Sequence, residues 1–306
     1  MNRDLDEFVR CELSQLSAGG HALDEDVPLP RRLFYPCDAP ELDAVMRSHT
    51  IPAIDWRLGR DGPLVQYGVE LVRSFLEEAP DEADNGLRRR FRNDVRTHFD
   101  PRGTHFDGFV TRLFDIGSDS PQDGFPGYAL GVPGDALAAR DRTAPGQGAV
   151  HLASAIYSSE RQHAIVQALY RRYEDYLITA VERFGESCAD DVSSSCTDRF
   201  RGDIGRYMMR FRDPGLAGER EWIALALAAA DGRGQPLRFD IRTNRLVPAV
   251  ALDIVAHGLP RRRRSLIDVI AVGPSLPAAS TRESLEAYLR WQGLPGIAVV
   301  GFNDLP

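Results

Sequence analysis

FRDPGLAGEREWIALAL, residues 211–227, carries two glutamates, Glu219 and Glu221, at the entrance to a run that reads as a buried strand. A Pro-Gly turn and Gly218 precede them, and Trp222, Ile223, Leu225 and Leu227 follow, so the carboxylates sit where a loop hands over to a sheet. Rigid scaffolds often present chemistry at such junctions. Successive strand residues alternate faces, so the pattern predicts Glu219 and Glu221 on one side and Arg220 and Trp222 on the other. Two carboxylates on one face repel, which raises the pKa of one and prepares it for acid, base or cation-stabilising work. The alternative is an exposed strand edge whose charges deter aggregation.

Downstream of this block the pattern is mostly strand. Leu237 to Arg242, Leu246 to Ile254, Ile267 to Val272 and Ile297 to Phe302 are apolar or alternating, with one helix over about Thr281 to Gln292 capped by Ser280 and Glu283. Upstream, ADDVSSSCTD near 189–198 reads as a polar connector, the best internal hinge in the chain. Before it, Ser159 with Gln162 is expected to open the longest helix, which stops at Gly185. His151 to Tyr157, Tyr128 to Val132 and Phe109 to Phe114 read as strands, the last two flanking the loop DIGSDSPQDGFPG. Helical spacing covers Gln66 to Glu78, and LRRRFRNDVRTHF is a basic helix. Near the start, Leu33 to Tyr35 is a short strand, Asp38 with Glu41 caps the helix PELDAVMRSH, and Ile51 to Ile54 is a second strand. The first 30 residues form an extension. The sum is an α+β fold, a mixed or split β-sheet core with flanking helices, in one domain over 31–306.

The chain has 306 residues, 43% hydrophobic and 27% charged, which is a globular composition. No apolar run approaches the roughly 20 residues that cross a bilayer, and the start MNRDLDEFVRCELSQL is acidic and amphipathic, so a soluble, cytoplasmic protein is expected. A formal charge of -8 argues against general nucleic-acid binding. The four cysteines, at 11, 37, 188 and 196, lack zinc spacing and disulfide density, and read as ordinary thiols with Cys188 and Cys196 the plausible pair. His98, His105 and His151 are too scattered for a metal site. The run Arg261 to Arg264 reads as a solvated turn, or else as a site for phosphate or an acidic partner. All 37 basic residues are arginine. A GC-rich genome produces this, as does loss of ubiquitin-acceptor amines in a protein that works inside a host cell.

LFYPCDAPELDAVMRSHTIPAID, GYALGVPGDAL, AIYSSERQHAIVQAL, FRDPGLAGEREW, LRFDI with LVPAV, and VIAVGP together resemble the bacterial family called domain of unknown function 2971, in order from about Arg31 to Phe302. The family layout is similar to ADP-ribosyltransferase folds, in which an early strand serves the cofactor and a Glu-x-Glu or lone Glu begins a late strand. Cleaving the nicotinamide bond of NAD develops an oxocarbenium-like cation that a carboxylate stabilises. The resemblance therefore implies NAD as substrate and no metal. It gives Glu221 the cation-stabilising role and has Glu219 orient or activate the acceptor. Tyr35 would stack on the nicotinamide or hold its ribose, and Arg32 would clamp phosphate.

Two positions and one block depart from the family pattern: Tyr35 stands where a His or Arg is expected, Ile223 replaces the arginine after the tryptophan, and VTRLFDIGSDSPQDGF replaces a serine and tryptophan block. Thr111, Asp115 and Tyr128 border that altered block and are further candidates around the cofactor. The implied activity is ADP-ribose transfer to a macromolecule, or NAD hydrolysis, by a conflict effector acting in its own cytoplasm or delivered into a host or competitor. A non-catalytic partner-binding module on the same fold is the alternative. A third reading is a nucleotide or sugar hydrolase with Glu219 and Glu221 as acid and base.

Overall fold

The computed structural model describes residues 23, 27–58, 62–78, 86–99, 108–116, 127–138, 150–227, 237–242, 245–254 and 265–305. Most of the N-terminal extension, the loop at 117–126, His105 and Arg261 to Arg264 lie outside them. The chain divides into two compact units, one that includes Gly62–Phe106 and Ile156–Pro214, the other built from Pro28–Asp61, Asp107–Ala155 and Gly215–Pro306. The two interleave in sequence because the chain leaves the strand-bearing unit after Asp61 and again after Ala155.

The strand-bearing unit contains β1 (Arg32–Cys37), α1 (Ala39–Ser48), β2 (Thr50–Asp55), β3 (Gly108–Phe114), β4 (Tyr128–Pro133), α4 (Gly134–Ala138), β5 (Val150–Ser154), β6 (Glu221–Leu227), β7 (Leu237–Arg242), β8 (Arg245–Asp253), β9 (Val269–Val272), α7 (Ala278–Trp291) and β10 (Ala298–Gly301). The helical unit contains α2 (Gly62–Glu78), α3 (Gly86–His98), α5 (Ser159–Phe184) and α6 (Ala189–Met208). The fold is α+β with a mixed sheet, as expected: among the described residues every strand pair is antiparallel except β9 with β10.

The sheet forks at β3. β6 pairs along the whole of one edge, from Gly108↔Leu227 to Phe114↔Glu221. A strand has only two edges, so the other is shared. β2 holds its start through Ile54↔Val110 and Asp55↔Phe109, and β1 holds its end through Phe34↔Phe114. One arm then continues through β4, β9 and β10, and the other through β8 to β7. On one face Leu33, Tyr35, Cys37, Leu113, Trp222 and Ala224 pack with Leu42, Val45 and Met46 of α1 and Leu285 and Leu289 of α7. On the opposite face Phe34, Ala129, Val269 and Ala271 pack with Ile116, Phe302 and Leu305.

Asp38 caps α1 by accepting from the Glu41 backbone N–H at 2.9 Å, as the sequence predicts. The predicted start of α7 is three residues late, since that helix begins at Ala278 after Pro277.

In the helical unit, α5 buries Ile165, Val166, Leu169, Tyr170, Tyr173 and Leu177 against neighbouring helices. Its predicted cap is off by one: Ser158, not Ser159, accepts from the Arg161 backbone N–H, at 3.2 Å. Gln162 is drawn elsewhere. Its amide donates to the carbonyls of Ile156 at 2.6 Å and Arg212 at 2.7 Å while its carbonyl accepts from Tyr67 at 3.0 Å. Ser158→Ala should therefore cost about 1 kcal/mol in urea unfolding, whereas Ser159→Ala should cost clearly less. The reverse order would return the cap to Ser159. Gly185 ends α5 with φ 88, a backbone region that side chains disfavour.

The expected connector at 189–198 is instead the first half of α6. Val192, Cys196, Phe200 and Ile204 recur every four residues and are fully buried, a helical stripe masked by the intervening serines. Cys37, Cys188 and Cys196 are free, so the pairing of the last two does not form. Burial pushes the Cys196 thiol up to about 12.

Candidate functional site

Arg112 gathers the two glutamates. Its Nε donates to Glu221 Oε1 at 2.9 Å and its terminal nitrogen to Glu219 Oε2 at 3.0 Å. The same guanidinium lies 5.0 Å from the centroid of the Phe114 ring. Glu221 has 0% of its side chain exposed, Arg112 24% and Glu219 30%. A charged carboxylate without water needs a partner, and Arg112 supplies it from the strand next door, 109 positions away in sequence. One guanidinium between two carboxylates offsets their repulsion.

The local backbone departs from the sequence expectation in one way. Glu219 is not in the strand: it ends a short 3-10 turn over Pro214–Glu219, and the strand starts at Glu221. Between them Arg220 has φ 48, a left-handed conformation costing roughly 1 kcal/mol or more for a residue with a side chain. The carbonyl of Arg220 accepts from the Asp115 N–H at 3.1 Å, which holds the turn against the end of β3. The two carboxylates are thus brought together by a turn and a shared cation, not by strand alternation.

The candidate cofactor residues do not gather there. Phe34 stands opposite Phe114, which stands opposite Glu221, so these three share a face. Tyr35, the next residue, points to the other face, where it is 6% exposed and its hydroxyl donates to Glu41. Thr111, adjacent to Arg112 and 4% exposed, also points there. Tyr128 stands opposite Cys37 and packs on that same core, and burial, then the nearby Cys37, pushes its hydroxyl up. Arg32, two residues before Phe34, is the exception and shares the face of Glu221. It is engaged by Asp268, to which it donates from two nitrogens at 2.9 and 2.6 Å. Gly131 makes room for it, since a Cβ there would run into Arg32, Phe34 and Val269.

A cavity of about 380 Å³ lies elsewhere in the same unit, bounded by Asp38, by Glu41 and Ser48 of α1 and by Arg238, Phe239 and Asp240 of β7. Glu41, the acceptor for Tyr35, is its only link to the predicted residues. Among the described residues no cluster of His, Cys, Asp and Glu has the arrangement of a metal site, and no helix is long and apolar enough to cross a membrane.

Arg112 is the site residue that sequence reasoning missed. The signal was present: FVTRLF is a strand pattern with a single cation inside it, and a cation in an inner strand has to find an anion. What remained unreadable was which anion, because strand register over so long a separation is set by the whole sheet. Compared with family models, with curated proteins and with solved structures, the chain matches none.

Proposed function

We propose that the chain is an ADP-ribosyltransferase-like protein of the domain of unknown function 2971 type, with NAD as its substrate. In this reading Glu219, and not Glu221, is the carboxylate that meets the ribose. The observation that carries the assignment is the shared guanidinium: Glu221 is sealed against Arg112 with no exposed side chain, while Glu219 is held by the same group and still reaches solvent. A fixed anion beside a developing cation stabilises it without reorganisation. Glu219 keeps acceptor capacity beyond the bond from Arg112 and can take a ribose hydroxyl. Arg112 and Glu221 act as positioning residues. In the reaction the bond between the ribose anomeric carbon and nicotinamide breaks, nicotinamide leaves with the bonding pair, and water or an acceptor nucleophile adds to the carbon and loses a proton.

The test is nicotinamide release from NAD by purified protein, with cell extract as acceptor. Glu219→Gln should lower the rate by about 10²-fold or more with unchanged melting. No release, together with no NAD-induced rise in melting temperature, would remove the transferase reading. A second reading, the non-catalytic partner-binding module, is favoured by a separate observation. Arg32 and Tyr35 are committed to Asp268 and Glu41, and Tyr35, Thr111 and Tyr128 lie on the face away from Glu221, so these residues form no dinucleotide cradle around the carboxylates. The absence of both release and stabilisation by NAD would leave this second reading ahead.

A further inference from the structure

β7 reads LRFDIR and, among the described residues, has β8 as its only neighbour, which leaves its other edge open. An open edge is a template for another strand. Leu237 and Phe239 are 54% and 63% exposed, and Leu246 on the adjacent β8 is 69% exposed. The register Phe239↔Pro248 and Ile241↔Leu246 places Leu237, Phe239 and Leu246 on one face, with Arg238 and Asp240 on the other. Exposed apolar residues in a row along an unprotected edge mark an interaction surface rather than a solvated one.

We infer that two copies of this chain associate through β7, antiparallel across a twofold axis at Phe239. The charge pattern and the extent of β7 together select the occupant and the register. Pairing a strand with itself about an axis normal to the sheet keeps each side chain on its own face, so the axis must pass through a residue. An axis at Arg238 sets arginine against arginine, and one at Asp240 sets aspartate against aspartate. An axis at Ile241 sets Asp240 opposite the partner's Arg242 but pairs only Asp240 to Arg242 of β7, whereas the axis at Phe239 pairs Leu237 to Ile241, places Arg238 opposite the partner's Asp240 twice and brings the two Phe239 rings together on the other face. A carboxylate accepts from several donors, so the pairing does not require Asp240 to lack other contacts. Edge pairing over five residues, Leu237 to Ile241, is a small interface, which sets the association in the weak, concentration-dependent class.

Sedimentation velocity over a wide concentration range tests this. The wild-type protein should shift from monomer to dimer as concentration rises. Arg238→Asp and Asp240→Arg, each singly, oppose like charges across the axis and should weaken dimerisation at least tenfold. Mixing the two variants restores opposite charges at both positions, so heterodimer should form where neither variant self-associates. This rescue also excludes misfolding as the cause of the single effects. A wild-type protein that stays monomeric throughout would overturn the inference. So would dimerisation that ignores the reversals, or a mixture that fails to associate.

Discussion

Arg112→Met is expected to destabilise the strand-bearing unit by about 3 kcal/mol, the low end of the cost of stranding a buried charge. Glu221 has no exposed side chain and is ion-paired with Arg112, so removing the guanidinium takes a charge partner from a carboxylate that water cannot reach. Partial exposure of Arg112 limits the loss. The companion variant Arg112→Met with Glu221→Leu removes both charges and should recover at least 1 kcal/mol relative to the single change, because a paired charge can often be replaced by packing. Urea unfolding of the four proteins in the cycle checks this. If the two changes simply add, the ion pair is not what holds the start of β6.

Phe200→Ala is expected to be the costliest single truncation in the helical unit, at about 3–5 kcal/mol. Its side chain is fully buried, and its ring meets Tyr170 edge-on at 6.2 Å and Tyr173 at 6.3 Å. Tyr170 also packs on Phe91 of α3 at 5.3 Å. One ring on α6 therefore joins α5, and through Tyr170 α3, and a void there cannot be filled without moving a helix. The check is the urea midpoint of the helical signal: a fall with unchanged slope is the expected result. A loss below 1 kcal/mol would mean that α6 is not part of the cooperative unit.

That second prediction bears on a segment whose structure the sequence concealed. ADDVSSSCTD looks like a connector because serine and aspartate favour turns and caps. In α6 two of the serine hydroxyls are satisfied by the protein: Ser195 donates to the Asp191 carbonyl at 2.9 Å and Ser193 to Asp94 of α3 at 2.5 Å. Once the hydroxyls are bonded, small polar residues can line a helix interface. Elements with strong periodicity, such as α1, α2 and the strands of the sheet, were legible because local pattern and tertiary burial agree there. The pairing of Glu219 with Glu221 was legible as a pair, yet its geometry was not, since it depends on the left-handed Arg220 and on a strand contributed from far upstream. Tyr35 illustrates the opposite limit. A conspicuous aromatic on the first strand spends its hydroxyl on the first turn of α1, and a one-residue step along a strand decides which face it serves.

The fork at β3 also bears on how the chain is made. A ribosome delivers β3 long before β6, and the stretch between Phe114 and Glu221 takes roughly 5–20 s to synthesise at ordinary elongation rates. During that interval one edge of β3 has no native partner, while the helical unit gains its last segment by Pro214 and can close. The growing chain thus carries a finished helical body and a half-built sheet at once. Its period of greatest vulnerability is set by the order in which strands leave the ribosome, so slowing elongation within 115–220 should increase aggregation more than slowing it after β10.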